Sequence, residues 1–355
     1  MRDRIQAVRS LLKEHELDGL LVDSGVNRFY LTGFTGTAGR VLFTPDHSYF
    51  ITDFRYREQA EQQTEGYQIL EINKEKEARI GQVLADEGVS RLGFEASSVT
   101  VTLLENYREH FPDIELEATK DLIEGLRLLK QQQEVARIEE AIDIAEKGFK
   151  HILEYIEPGM TEREIGLELE YFMKKAGGTA NAFDFIVASG YRSSLPHGVA
   201  SDKRVRQGEL ITIDFGTVSQ GYCSDMTRTF VLGQATGRQR EIYELVLEAH
   251  LKVIEEIKPG MSGREADALA RDLIKEAGYG DNFGHGLGHG LGIEVHEQPR
   301  LSYTSETTLE PGMVVTDEPG IYLPDWGGVR IEDDLLITED GCRVLNSLDK
   351  EFFEL

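Results

Sequence analysis

Two stretches of this sequence set carboxylates where an ordinary sheet would not. Leu210-Ile211-Thr212-Ile213-Asp214-Phe215-Gly216 and Tyr222-Cys223-Ser224-Asp225-Met226-Thr227-Arg228-Thr229-Phe230-Val231 each read as a β-strand, with Val218-Ser219-Gln220-Gly221 as the turn between them. A hairpin centred on that turn sets Asp214 directly opposite Asp225. Paired residues have Cβ atoms about 4.5–5.5 Å apart. Two carboxylates at about 5 Å repel by roughly 3 kcal/mol at an effective dielectric near 20. Between apolar strands that arrangement calls for a cation or a shared proton; without either, the register slips and one Asp faces solvent. A second pair follows the same logic. Met313-Val314-Val315-Thr316-Asp317-Glu318 runs into Pro319-Gly320, and Gly328-Val329-Arg330-Ile331-Glu332 returns after a loop, so Glu318 and Glu332 can be cross-strand neighbours. Asp317, Asp333 and Asp334 stand beside them, a run that also fits a solvated sheet edge.

Histidines add to the carboxylates. Of nine in the chain, three fall within Gly284-His285-Gly286-Leu287-Gly288-His289-Gly290-Leu291-Gly292-Ile293-Glu294-Val295-His296, whose glycines let backbone approach a ligand closely. The spacing does not match GxGxxG and no GK[ST] follows, which speaks against a phosphate cradle; HExxH is absent too, since His296-Glu297-Gln298-Pro299-Arg300 ends in Arg. A fourth histidine, His197, lies in Leu195-Pro196-His197-Gly198. Four carboxylates with an imidazole make an oxygen-rich set of donors suited to Mn²⁺ foremost, with Co²⁺, Fe²⁺ or Zn²⁺ also accommodated. One ion does not need four carboxylates. Two ions about 3.5–4 Å apart, sharing carboxylates and a hydroxide nucleophile, do.

The elements that position these residues fall into two parts. Up to about residue 120, helix and strand signals alternate. Ile5, Val8, Leu11 and Leu12 recur at helical spacing, Leu20-Leu21-Val22 reads as a buried strand, and Val41-Leu42-Phe43 with Tyr49-Phe50-Ile51 reads as a hairpin. Helices near 54–65, 75–87 and 101–110 alternate with strands near 68–72, 92–94 and 114–118, a small α/β domain. Thr119 to Lys130 reads as the join, and a long amphipathic helix spans about 131–156. The second part repeats itself. Ile156-Glu157-Pro158-Gly159-Met160-Thr161-Glu162-Arg163-Glu164 returns 101 residues later as Ile257-Lys258-Pro259-Gly260-Met261-Ser262-Gly263-Arg264-Glu265. Thr161…Glu164 and Ser262…Glu265 are both capping boxes, and both following helices stop at Ala-Gly, Ala176-Gly177 and Ala277-Gly278. The pattern predicts a duplicated αβ unit with a ligand site between its halves. The fold class is therefore α+β, with domains at 1–122 and 123–355.

Composition narrows the partners. The 355 residues carry 64 acids against 38 Lys+Arg, a formal charge of −26, which repels phosphate backbones and excludes nucleic acid. No stretch approaches about 20 apolar residues, so no membrane span is expected. MRDRIQAVRS holds three arginines, an aspartate and no apolar segment, unlike a secretory signal. Two cysteines, Cys223 and Cys342, exclude a disulfide scaffold and fit a cytoplasmic protein.

Taken together these residues resemble the pita-bread metallopeptidases, in particular the branch of Xaa-Pro dipeptidase (prolidase) and aminopeptidase P. The resemblance extends over the chain, including Asn27-Arg28-Phe29-Tyr30-Leu31-Thr32-Gly33-Phe34 and Thr52-Asp53-Phe54-Arg55-Tyr56. It implies a C-terminal pita-bread catalytic domain, a smaller N-terminal α/β domain, and five metal ligands for two divalent ions: Asp214, Asp225, His289, Glu318 and Glu332. Asp225 and Glu332 would touch both ions, Asp214 one, and His289 with Glu318 the other. Glu318 would serve as general base and acid, His296 would stabilise the oxyanion, His197 would bind near the scissile imide and His285 would line the proline pocket. Arg330, two residues before Glu332 on one strand face, would order the ligands or meet a substrate carboxylate, with Tyr322 beside it. Arg300 is a further candidate for that carboxylate. The implied substrate is a small peptide with proline second, the dipeptide favoured over longer Xaa-Pro peptides, and the implied assembly is a homodimer. A methionine aminopeptidase has no need of the N-terminal domain. A creatinase-type hydrolase dispenses with metal, and a pita-bread binding module without activity tends to lose ligands.

Overall fold

The computed structural model describes residues 2–355; Met1, at the head of the first expected domain, lies outside them. The chain divides into two units, Met1–Arg127 and Leu128–Leu355. The first contains α1 (Arg2–Glu14), β1 (Gly19–Val22), α2 (Gly25–Thr32), β2 (Arg40–Phe43), β3 (Ser48–Thr52), α3 (Arg57–Gln63), β4 (Gln68–Glu71), α4 (Lys76–Asp86), β5 (Arg91–Glu95), α5 (Val101–His110), β6 (Glu115–Thr119) and α6 (Leu122–Arg127). Its strands form one mixed sheet in the order β4-β3-β2-β1-β5-β6. Leu21, Leu42, Ile51, Ile80, Leu84 and Leu92 are packed in its core. Two helices escape the sequence pattern: α2, a short segment between the Ser24 cap and Gly33 in the left-handed region, and α6, inside the expected join.

The second unit opens with α7 (Gln132–Tyr155) and α8 (Glu162–Lys175), then β7 (Ala180–Asn181), β8 (Ile186–Ser189), a 3₁₀ turn at Gly190–Ser194, β9 (Leu210–Phe215), β10 (Thr217–Ser219), β11 (Tyr222–Cys223) and β12 (Met226–Val231). Its other half holds α9 (Gly237–Glu256), α10 (Gly263–Glu276), β13 (Gly288–Gly290), β14 (Glu297–Leu301), β15 (Val314–Asp317), β16 (Gly320–Leu323), β17 (Gly327–Arg330), β18 (Asp333–Ile337) and β19 (Cys342–Val344). Each half has its own core, Phe149, Ile165, Leu169, Ile213 and Phe215 in one, Val246, Val253, Ala266, Ile274 and Val315 in the other. The duplication is visible in hydrogen bonds. Gly159 N donates to Val205 O and Glu162 N to Lys203 O; at the twin positions Gly260 N donates to Leu309 O and Gly263 N to Thr307 O. Both capping boxes form, and Gly177 and Gly278 follow their helices at φ 119° and 90°.

The first carboxylate hairpin has a different register from the one expected. Ser219 pairs with Tyr222 and Val218 with Cys223, so the turn is the two-residue Gln220-Gly221, both at positive φ. The same register sets Asp214 opposite Thr227, not Asp225. Residues that tolerate positive φ fix the centre of the turn, and that moves the pairing by two residues. Nor does either aspartate face solvent: Asp214 is half-buried and Asp225 is 4% exposed. In the second hairpin Asp317 faces Asp333 and Gly320 faces Arg330, one register carried across a break in which Glu318 and Glu332 oppose each other. The run Asp317, Asp333, Asp334 is no solvated edge, since all three are fully buried.

The twin caps yield a stability test. Thr161→Ala and Ser262→Ala each remove one cap hydroxyl and should each cost about 1 kcal/mol in urea unfolding, measured on the metal-free protein. An unchanged midpoint in either would show that cap to be idle.

Candidate active site

Five donors reach one cavity of about 410 Å³ from five different places in the second unit. Asp214 comes from the end of β9, Asp225 from the bend before β12, His289 from the middle of β13, Glu318 from just after β15, and Glu332 from the link between β17 and β18. Ligand atoms of Asp225, His289 and Glu332 lie within 4.8 Å of one another. Burial holds each carboxylate here above its usual range. For Asp225, repulsion from Glu332, Asp214, Asp334 and Glu318 adds to burial; for Glu332, repulsion from Glu318 and Asp214 does. Asp214 is also raised by burial, although Arg330 opposes it, and burial lifts Glu318 to about 8.

His289 decides what the cluster fits. Its Nδ1 lies 3.1 Å from Gly290 O, which can only accept, so the ring proton sits on Nδ1. The Nε2 lone pair then points at Glu318 Oε1 at 3.5 Å and Asp225 Oδ2 at 3.6 Å. Burial and the neighbouring His296 hold this imidazole at about 3, so near neutral pH it carries no proton there. A lone pair facing two carboxylate oxygens, beside the unpartnered buried Oδ1 of Asp214, leaves a gap that fits a cation.

The other expected residues surround this centre. Arg330 reaches three side chains: Nη2 to Asp214 Oδ2 at 2.6 Å, Nε to Thr227 Oγ1 at 3.0 Å and Nη1 to Tyr322 Oη at 2.8 Å. Thr227 in turn donates to Glu332 Oε2 at 2.5 Å. Tyr322 donates to His285 Nε2 at 2.8 Å, while His285 Nδ1 bonds Gly286 O. Burial holds His285 at about 4, the neutral form that this chain of bonds requires. His197, His296 and Arg300 line the cavity with exposed side chains. Tyr322 supports Arg330 and His285 from outside the cavity lining.

Comparison with known proteins agrees with this geometry. Residues 136–339 match Metallopeptidase family M24, and residues 4–129 match the Creatinase/Prolidase N-terminal domain. The chain belongs to metallopeptidase family M24. It is 41% identical to a Xaa-Pro dipeptidase of Pyrococcus furiosus over 99% of both chains. A solved Xaa-Pro dipeptidase from Bacillus anthracis superposes with a TM-score of 0.98 at 47% identity, covering 100% of this chain and 99% of that one. An X-Pro aminopeptidase from Thermotoga maritima gives 0.93 at 37% identity, covering 96% of this chain and 98% of that one. The M24 chain is thus a metallopeptidase with the pita-bread fold, a family that implies divalent metal ions.

Behind the M24 centre lies a layer that the sequence did not disclose. His250 of α9, fully buried, stands between two facing carboxylates, its Nδ1 2.9 Å from Asp317 and its Nε2 3.1 Å from Asp333. Asp333 also pairs with Arg228 at 2.7 Å and Lys350 at 2.6 Å. Burial disfavours charge on His250, yet the flanking aspartates outweigh it and hold the ring at about 9. Each anchored aspartate immediately adjoins a member of the cluster, Asp317 before Glu318 and Asp333 after Glu332. A signal existed only for Thr227 and Thr229, which alternate with Asp225 along one strand face; nothing local marks His250, and Arg228 reads as an ordinary outward charge.

The raised carboxylates set the pH response of the metal-free protein. A carboxyl with a raised folded pKa stabilises below its unfolded value, and that stability is lost as pH rises through the folded value. Above about pH 7.5 the depressed histidines His285 and His289 are essentially neutral in both states, so from there to about pH 9 Glu318, Asp225, Glu332 and His250 all act in one direction. Chelated protein should lose melting temperature steadily across that window, and metal-loaded protein should not. A flat profile for the chelated form would contradict the repulsion described here.

Proposed function

We propose that this chain hydrolyses the bond before proline in Xaa-Pro dipeptides, using two divalent ions held by Asp214, Asp225, His289, Glu318 and Glu332. The observation that carries this reading is the His289 lone pair aimed at two carboxylates on a cavity wall that also presents Arg330, His197 and His296. The kinship with a Xaa-Pro dipeptidase at 41% identity supports the substrate class. The oxygen-rich donors favour Mn²⁺, with Co²⁺, Zn²⁺ or Fe²⁺ also suited. The use of only two cysteines, Cys223 and Cys342, supports a reducing, cytoplasmic setting, and a homodimer is proposed on the resemblance alone.

Ions held by Asp214, Asp225, His289, Glu318 and Glu332 would supply Lewis acidity for the scissile carbonyl and the attacking water. Glu318 takes that water's proton and returns it to the leaving proline nitrogen, which has no proton of its own. His296 donates to the oxyanion as the carbonyl becomes tetrahedral. His197 binds the substrate carbonyl from the rim. Arg330 opposes the effect of burial on Asp214 and, through Thr227, fixes the rotamer of Glu332. His285, neutral and tied to Tyr322, lends an uncharged wall to the proline ring.

Chelation should abolish hydrolysis and Mn²⁺ or Co²⁺ should restore it. His289→Ala should lose metal, whereas His296→Ala and His197→Ala should retain it and lower kcat by about 10²–10³. Metal analysis beside a hydrolysis assay checks both points, and the opposite pattern would reverse the assignment.

The solved X-Pro aminopeptidase at 37% identity favours a second reading, cleavage of longer peptides. A dipeptide carries its carboxylate directly after proline and needs a fixed cation there, a role for which Arg300 on the cavity wall is suited. We expect kcat/KM for Ala-Pro to exceed that for Ala-Pro-Ala, with selective loss of the dipeptide activity in Arg300→Ala. A tripeptide preference indifferent to Arg300→Ala would establish the aminopeptidase reading instead.

A further inference from the structure

The carboxylate of Glu162 is fully satisfied by hydrogen bonds, and neither the cluster nor the mechanism uses it. It stands at the first turn of α8, where an acidic side chain ordinarily points to water beside the helix N-terminus. Here it is fully buried. The helix does not need it, because Thr161 and Glu164 already complete the cap. Its oxygens turn instead to one loop. Oε1 accepts from Ser189 N and Ser189 Oγ, both at 2.8 Å; Oε2 accepts from Ser201 Oγ at 2.5 Å, from Ser201 N at 3.2 Å and from Arg192 Nη1. Ser189 ends β8 and Ser201 lies beyond His197, so one carboxylate clasps both feet of the segment 190–200. Lys203 Nζ adds its charge to the same knot through Ser189 Oγ at 2.7 Å.

That segment carries Pro196 and His197 to the cavity. The His197 side chain is exposed, so burial of its ring does not set the position of the loop. The feet do, together with two ties across the top: Gly328 N to Ser193 Oγ at 2.8 Å and Arg330 Nη1 to Pro196 O at 3.4 Å.

The duplication supplies an internal control. The twin of Glu162 is Gly263, with an equivalent cap and an equivalent backbone bond. There the space is filled by chain: a Cβ on Gly263 would run into the Arg300 carbonyl and the Ser305 side chain. Ser305 is itself the twin of Ser201, since Arg163 N donates to Ser201 O and Arg264 N to Ser305 O. One half thus brings its strand β14, bearing Arg300, against a glycine; the other holds its active-site loop away from the helix on a carboxylate. A buried carboxylate is costly unless fully paired, so its presence in only one of two like-capped helices calls for a use specific to that half.

We propose that Glu162 is a positioning residue for the reaction: it sets the height and orientation of the His197 loop over the metal centre and acts on catalysis through His197 alone. This rests on the role given to His197 above.

A double-mutant cycle tests it on the metal-loaded enzyme. Glu162→Gln keeps the size of the side chain but removes the charge that Arg192 meets. It should retain both metals, speed hydrogen exchange of the amides between residues 190 and 200, and lower kcat/KM for Ala-Pro by about 10-fold to 10²-fold, the cost of misplacing a group by about 1 Å. The variant Glu162→Gln/His197→Ala should be no slower than His197→Ala, within about twofold, because the two changes act on one interaction. Arg192→Gln, which cuts the outer tie without touching the core, should show the same coupling at smaller amplitude and serves if Glu162→Gln does not fold. Additive losses, or unchanged exchange in the loop, would overturn the proposal. Wild-type turnover in His197→Ala would instead remove His197 from the reaction, and the catalytic role of Glu162 with it.

Discussion

Like charges held together on the buried side of one cavity are the constraint around which the catalytic unit is built. Asp225 and Glu332 are almost completely buried, and each is pushed above the normal carboxylate range by burial and by the others. Four such groups do not gather without positive charge to hold them. Arg330 supplies one positive charge, paired with Asp214 and acting also on Glu318 and Glu332. The rest of the deficit faces the neutral Nε2 of His289, and that face defines the metal centre. The surrounding ties from Arg330, Thr227 and Tyr322 keep the acids in one geometry although they repel.

The layer behind the site answers the same problem from the other side. Asp317 and Asp333 face each other across a ladder, an arrangement that would weaken any sheet. His250, Arg228 and Lys350 convert it into a clamp. Because Glu318 and Glu332 sit next to those aspartates in sequence, the clamp fixes the strand crossing from which both project. The duplicated αβ unit provides the frame, two halves with matching caps and matching backbone bonds that diverge where chemistry asks for it, as at Glu162 and Gly263.

Much of this was legible in the chain. The repeat, the caps and the helix stops follow from local rules, since capping boxes and glycine stops act within a few residues. The five donors could be named because their types and spacing match those of the pita-bread metallopeptidases, and the structure brings all five to one cavity. Register was read less well. Asp214 pairs with Thr227 because Gln220 and Gly221 accept positive φ, a detail that outranks the centre of a four-residue turn. The acids around residue 333 resembled a wet edge because their partners, His250, Arg228 and Lys350, come from distant points of the chain. Glu162 gave no signal at all, for its meaning lies in a loop that folds back onto it.

Crystals grown with Mn²⁺ and measured at its absorption edge test the two-ion centre. Two anomalous peaks are expected inside the cavity, one at coordination distance from His289 Nε2, with Asp225 and Glu332 reaching both. An empty cavity at saturating Mn²⁺, or strong peaks only elsewhere on the acidic surface, would contradict it.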